Sequence, residues 1–494
     1  MHDAPYYRLQ SRFAEIGRLD EIRGILDWDQ ATQMPRGGSV ARGEQLKTLA
    51  QMRHRLLSEP AVGDWLDEAT ELALEPWRLA NVRAMRRMYL HAATVPSALI
   101  GALTYSASLT EHTWREAREE NDFALVAPAL GELLALVREE AAHKAEALGV
   151  TPYEALMDRY DPGRGWPEIE RLFGQLSPKL SLMVERACEG AAVPPPLPCP
   201  VEVQRGICEA VLQALGFDWE HGRLDESAHP FTGGVPDDVR ITTRYAEEDL
   251  LPALFATIHE AGHAQYERGL PETWRGQPVG QAPGLTMHES QSLGFEMQIA
   301  RSPAFSGFLA RLIAERLGHP TETVRSVLAR RLAHVQRTLI RVEADELTYP
   351  LHILLRTELE RALVSGDLEV ADLPEAWRDA SARHVGIAPE NDRSGCLQDI
   401  HWYSGDFGYF PTYALGAMVA AQLVAAARAA LPNLDRSLAQ GDWSDYLAWC
   451  RAHVHALGSR YSADELVSQA TGRPLGVESY LAHLEARYLA RSAG

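Results

Sequence analysis

The chain is poor in cysteine, with five in 494 residues at positions 188, 199, 208, 396 and 450 and no C-x-x-C pair. So scattered and odd a set excludes a disulfide framework and reads as free thiols in a reducing compartment. Positive charge is also short: 48 Lys and Arg stand against 68 Asp and Glu, a formal net charge of −20. Nucleic-acid and anionic-membrane surfaces need clustered positive charge, so neither partner is expected, although one local basic pocket for a carboxylate remains compatible. The N-terminus, MHDAPYYRLQSRFAEIG, has no basic start leading into an apolar run. No signal peptide is therefore expected, and the protein is expected in the cytoplasm. Long apolar runs are missing as well. The most apolar late segment, YALGAMVAAQLVAAARAAL, is broken by Gln422 and Arg428 and reads as a buried helix, too short and polar to span a bilayer. No fixed-period repeat is present.

What the chain does contain is amphipathic helix. Hydrophobic residues make up 46% and charged residues 23%, which suits a soluble globular protein, and the length alone points to two or three domains. Residues 1–30 carry Leu9, Phe13, Ile16, Leu19, Ile22 and Leu26 at three- and four-residue steps, and Pro35 with Gly37 and Gly38 ends that helix. Residues 39–185 read as successive helices. The Pro-rich stretch AAVPPPLPCP at 191–200 is either a domain boundary or, as preferred because both flanks continue in the same style, a rigid connection inside one helical body. Residues 222–245 differ. Val239, Ile241, Thr243 and Tyr245 alternate with Arg240, Thr242 and Arg244, a period of two that predicts a strand in a small sheet. Such a strand is either a structural hairpin or an edge that pairs with an extended peptide.

The most informative stretch is His259-Glu-Ala-Gly-His263, within DLLPALFATIHEAGHAQYERG. On a helix the two His share one face and can hold one Zn²⁺ at about 2.0–2.1 Å, with Glu260 turned about 100° from His259, where it reaches a water as general base rather than the metal. Asp249 is placed to cap the helix, Pro252 falls in its first turn, Leu251, Leu254, Phe255 and Ile258 recur at helical spacing, and Gly269 ends it. A Gly- and Pro-rich loop follows, then MHESQSLGFEMQIARS resumes a helix. Glu289 at its start is the preferred third ligand, because His288 and Ser290 flank it with hydrogen-bonding groups; Glu267, Glu272 and Glu296 are the alternatives.

Two later stretches carry candidate substrate groups. Residues 306–366 read as long helices, on which Arg341 and Asp345 lie four apart. The pair is either a surface ion pair or an Arg oriented by Asp345 to clamp a carboxylate. At 391–416 the helical pattern breaks into a loop dense in Gly and aromatics, with Asp399, His401, Trp402, Tyr409 and Tyr413. It is either an aromatic packing corner or part of a site.

Taken together, Asp238-Val-Arg240-Ile-Thr242, His259-Glu-Ala-Gly-His263, His288-Glu289-Ser290-Gln291, Ile340-Arg341-Val-Glu-Ala344-Asp345 and Gly395-Cys-Leu-Gln398-Asp399-Ile-His401-Trp402 resemble the carboxypeptidase Taq family of zinc metallocarboxypeptidases. Trp28-Asp29-Gln-Ala-Thr32-Gln-Met34-Pro35 is similar too, so the resemblance covers nearly the whole chain. It implies one mostly α catalytic domain over 1–494, shaped as a two-lobed helical body around a deep substrate groove, with Glu289 as the third ligand. It also implies a homodimer that uses Zn²⁺ or Co²⁺ and removes C-terminal residues one at a time, with broad specificity and poor release of proline. On this reading Glu260 is the base and His401 or Tyr409 donates to the oxyanion. Arg341, oriented by Asp345, or else Arg240 binds the terminal carboxylate; Tyr413 and His229 line the pocket, and Asp399 supports it. The competing expectations are a zincin oligopeptidase cutting internal bonds and a non-enzymatic helical scaffold.

Overall fold

The helical periodicity becomes helix almost throughout in the computed structural model, which describes residues 4–188 and 193–489. The chain divides into two compact units, each drawn from three stretches of sequence. The first takes 1–92, 193–333 and 416–475; the second takes 93–192, 334–415 and 476–494.

In the first unit the N-terminal helix, Ala4–Thr32, buries Tyr6, Leu9, Phe13 and Ile16 against Leu57, Val62, Leu66 and Met85 of the helices that follow. The expected apolar stripe stops there. Ile22 is 50% exposed, and the helix is anchored beyond it by the buried Trp28, whose ring is met by the guanidinium groups of Arg223 and Arg240 at 5.0 and 4.5 Å. Those two Arg sit on the small sheet, made of β1 (Gly222–Glu226), β2 (Thr232–Val235) and β3 (Asp238–Thr243). The strand order is β1-β3-β2, with β1 parallel and β2 antiparallel to the central β3. Val239 and Ile241 are buried as the alternation predicts, and the Thr243 hydroxyl donates to the Ala253 carbonyl of the helix Leu250–Gly269 at 3.0 Å, which ties sheet to helix. The N-terminal helix passes close to β2. A Cβ on Gly24 would come within 2.9 Å of the Gly234 oxygen, so only glycine lets the N-terminal helix pass.

The Pro-rich stretch does not lie inside one body. The division between units falls between residues 192 and 193, and the described part from Val193 belongs to the first unit. Without proline N–H groups it cannot join a helix. It runs beside the start of Leu250–Gly269, where the Leu250 N–H donates to the Leu197 oxygen at 2.9 Å and the Cys199 N–H donates to the Glu247 oxygen at 3.0 Å.

The second unit packs helices Ser97–Glu120, Ala127–Leu148, Trp166–Cys188, Tyr349–Ser365 and Leu373–His384. The long helices expected over 306–366 are interrupted: regular α-helix stops at Leu332 and resumes at Tyr349, with only a short 3₁₀ turn, Arg341–Glu343, between them. The late apolar segment forms the helix Pro411–Ala430, which by length and composition is sufficient to cross a membrane, contrary to the sequence expectation. Its most apolar window is 67% buried against the rest of the protein, as suits a core helix.

Candidate metal centre and active-site residues

The helix Leu250–Gly269 starts where the sequence places it. The Asp249 carboxylate accepts the Leu251 N–H, and Leu251, Leu254, Phe255 and Ile258 are buried. Its other face presents His259 and His263. The helix Leu285–Leu293 crosses it at Gly262, where a Cβ would lie 2.7 Å from Ser292 Cα and 2.8 Å from the Gln291 oxygen. Glycine inside the His-Glu-Ala-Gly-His run therefore sets how closely Glu289 approaches the two imidazoles.

The Glu289 Oε2 atom lies 3.4 Å from His263 Nε2 and 3.7 Å from His259 Nε2. All three ligand atoms fall within 4.8 Å of one another, the only such group among the described residues. Two ligands at about 2.0–2.1 Å from a tetrahedral ion stand roughly 3.3 Å apart, so the donor set and its spacing fit a divalent metal with one position left open. Burial works against charge on Glu289, but the His259 and His263 imidazoles outweigh it and hold the carboxyl down at about 2, so the group stands ionised. Of the alternatives, Glu267 meets His288 Nε2 at 2.8 Å, and Glu272 lies in a separate 3₁₀ turn, outside the ligand group.

Glu296 has a different task. Its Oε2 lies 3.0 Å from His259 Nδ1, and its Oε1 accepts from Arg301 at 2.6 Å. A carboxylate on Nδ1 fixes the tautomer and turns Nε2 to the metal. Glu296 sits in a π-helical stretch, Gly294–Ala300, a local widening often found at functional sites. Glu296→Gln is expected to weaken metal binding about 10–100-fold. Competition with a chromogenic chelator measures this directly, and unchanged affinity would remove Glu296 from the centre.

Arg341, Asp345, Asp399, His401, Tyr409 and Tyr413 all belong to the second unit. Arg341 is 7% exposed, and its partner is Asp399, not Asp345. Asp399 accepts Arg341 Nε and Nη2 at 3.1 and 2.8 Å and Arg356 Nε at 2.6 Å. The expected pairing of Arg341 with Asp345 fails because the segment is not α-helical, so four residues do not bring the two to one face. Asp345 instead accepts the backbone N–H groups of Gln336, Leu347 and Thr348 at 3.1, 3.0 and 3.0 Å and shapes the turn. Gln398 completes the cluster, accepting the Arg341 N–H at 2.9 Å and Arg356 Nη2 at 2.8 Å.

His401, Tyr409 and Tyr413 form one aromatic group, with His401 5.4 Å from Tyr409 and Tyr413 6.4 Å from His401 between ring centroids. The Tyr413 ring lies 5.3 Å from the Arg341 guanidinium. Burial and then the Arg341 charge pull His401 down to about 4, so its ring is neutral near pH 7. Behind this group Glu360, fully buried, accepts from Tyr153 Oη at 2.7 Å and Trp402 Nε1 at 2.9 Å. Two further candidates belong to the first unit. Arg240 is held by Asp238 through Nε at 2.9 Å and stacks on Trp28, while His229 is exposed. Arg356 and Glu360 are absent from the sequence reading, and Glu296 enters it only as an alternative ligand, not as the partner of His259 Nδ1. Only Glu296, two helical turns beyond Glu289, carried a signal.

A family model for the carboxypeptidase Taq (M32) metallopeptidases matches residues 8–488. Thermostable carboxypeptidase 1 of Thermus thermophilus is 39% identical, over 99% of this chain and 99% of that protein. Among solved structures, metallocarboxypeptidase 1 of Trypanosoma cruzi is similar at a TM-score of 0.95 and 39% identity, covering 98% of this chain and 99% of that one. The M32 carboxypeptidase of Deinococcus radiodurans follows at 0.92 and 34%, with the same coverage.

Proposed function

Since this chain belongs to the carboxypeptidase Taq (M32) family, and so is a metallocarboxypeptidase and peptide hydrolase, we propose that it is zinc-dependent, uses Glu260 as general base and removes residues of many kinds from free peptide C-termini. The observation that carries this reading is the convergence of His259, His263 and Glu289 on one point, with Glu260 next to His259 but outside the ligand group. Zn²⁺ or Co²⁺ held there supplies Lewis-acid activation of a water and of the scissile carbonyl. Glu260 takes the proton of the attacking water and passes it to the leaving amine. His401, neutral at working pH, and Tyr409 are assigned as hydrogen-bond donors to the oxyanion.

Arg341 is assigned to the terminal carboxylate. A guanidinium has five N–H groups. Asp399 takes Nε–H and one on Nη2, and Tyr349 takes one on Nη1, so one N–H on each Nη nitrogen is left for a carboxylate. Arg240 is the second assignment, and Tyr413 and His229 are assigned to the substrate-binding wall. A homodimer in the cytoplasm is part of the proposal, supported by the free thiols and the family resemblance.

One peptide offered with a free and with an amidated C-terminus tests the reading by mass spectrometry. A ladder shortened stepwise from the free end, with the amide intact, is expected. Internal cuts in both forms would make the protein an oligopeptidase instead and leave Arg341 with a purely structural role.

A further inference from the structure

The Asp238–Thr242 motif contributes no metal ligand and no base, yet its last residue is hydrogen-bonded to the strand turn that leads into Thr232, a neighbour of Glu260. Thr242, fully buried on β3, accepts the Phe231 N–H on its hydroxyl at 2.9 Å, and its own N–H donates to the Phe231 oxygen at 3.0 Å. The Ser227 hydroxyl donates to the same Thr242 oxygen at 2.7 Å. Phe231 is thereby pinned, and the next residue, Thr232, begins β2 opposite Ile241. The Thr232 hydroxyl then stands 2.7 Å from Glu260 Oε2 and 3.0 Å from the Glu260 carbonyl oxygen. Glu260 itself is only 6% exposed, and among the described residues its Oε1 has no hydrogen-bond partner.

We propose that Thr232 is a positioning residue for the general base: its hydroxyl holds Oε2 of Glu260, so that Oε1 is the oxygen turned to the water. A glutamate side chain has several rotatable bonds, and one oxygen fixed from a rigid strand removes most of that freedom. Threonine suits the task because β-branching restricts its χ1. The Asp238–Thr242 motif, the strand turn and the base form one relay, in which Thr242 sets Phe231, Phe231 sets Thr232 and Thr232 sets Glu260. The inference rests on Glu260 being the base.

Thr232→Val, Thr232→Ser and Glu260→Gln, each loaded with zinc, test it together. Thr232→Val keeps the shape and removes the donor. It is expected to lower kcat about 10–100-fold, as loss of an outer-shell partner does, with KM and zinc stoichiometry unchanged. Thr232→Ser, which keeps the hydroxyl, is expected to restore kcat to near the parent value. A Thr232→Val protein with parental kcat, a loss that Ser does not restore, or a loss that follows KM or zinc content would overturn the inference while leaving Glu260 as base if Glu260→Gln is inactive. An active Glu260→Gln variant would instead overturn the base assignment on which the inference rests.

Discussion

Glu260→Gln is expected to bind zinc as the parent protein does and to turn over about 10²–10⁴-fold more slowly, the usual contribution of a positioned general base. The substitution changes one atom and one charge. His259, His263 and Glu289 are untouched, so the ligand group with its 3.4 and 3.7 Å separations should persist. The Gln oxygen can still accept the Thr232 hydroxyl, which now meets Glu260 Oε2 at 2.7 Å, so the side chain keeps its place. What is lost is the capacity to take a proton. Metal analysis alongside kcat separates the outcomes. Full zinc with collapsed kcat is the base signature. Loss of zinc would make Glu260 a ligand, and parental kcat would remove it from the chemistry.

That residue was legible in the sequence because its information is local. Helical period alone puts His259 and His263 on one face and Glu260 beside them, and Asp249 and the buried Leu254, Phe255 and Ile258 mark where the helix begins and which side it hides. Glu289 was legible only as the best of several acids, since what selects it is the crossing of two helices at Gly262, a contact that no spacing encodes. The same limit explains Glu296 and Thr232. Each acts across a fold-level contact, 37 and 28 residues from its partner in sequence. Arg341 shows the converse. Its four-residue spacing from Asp345 predicts a pair only in helical geometry, but the backbone there makes a 3₁₀ turn, and the partner is Asp399, 58 residues away. Helical periodicity misleads between Leu332 and Tyr349, where the chain leaves regular helix, and it is there that Arg341 meets its partners.

Asp399→Asn is expected to destabilise the second unit strongly. The Asp399 carboxylate is the shared counter-charge of two guanidinium groups, one on Arg356, which is fully buried, and one on Arg341, which is 7% exposed. Burial opposes its ionisation, but Arg356 and then Arg341 hold the carboxyl well below the usual carboxylate range. Asparagine preserves the shape and removes the charge, leaving two cations facing one neutral amide. Breaking a buried pair in this way costs about 3–5 kcal/mol, because the partners stay buried without compensation. Denaturant unfolding of the zinc-loaded protein followed by a probe in the second unit is expected to show a loss of that order. Zinc affinity should be unaffected, and KM for peptides with a free C-terminus should rise because the Arg341 fork loses its brace. Asp345→Asn is the matched control. Its oxygens accept backbone N–H groups and meet no guanidinium, and an asparagine oxygen can keep part of that bonding, so a smaller loss and an unchanged KM are expected. If the two variants lost equal stability and neither changed KM, Asp399 would be an ordinary turn carboxylate, and the terminal carboxylate would have to be met by Arg240, whose own brace is Asp238 on β3.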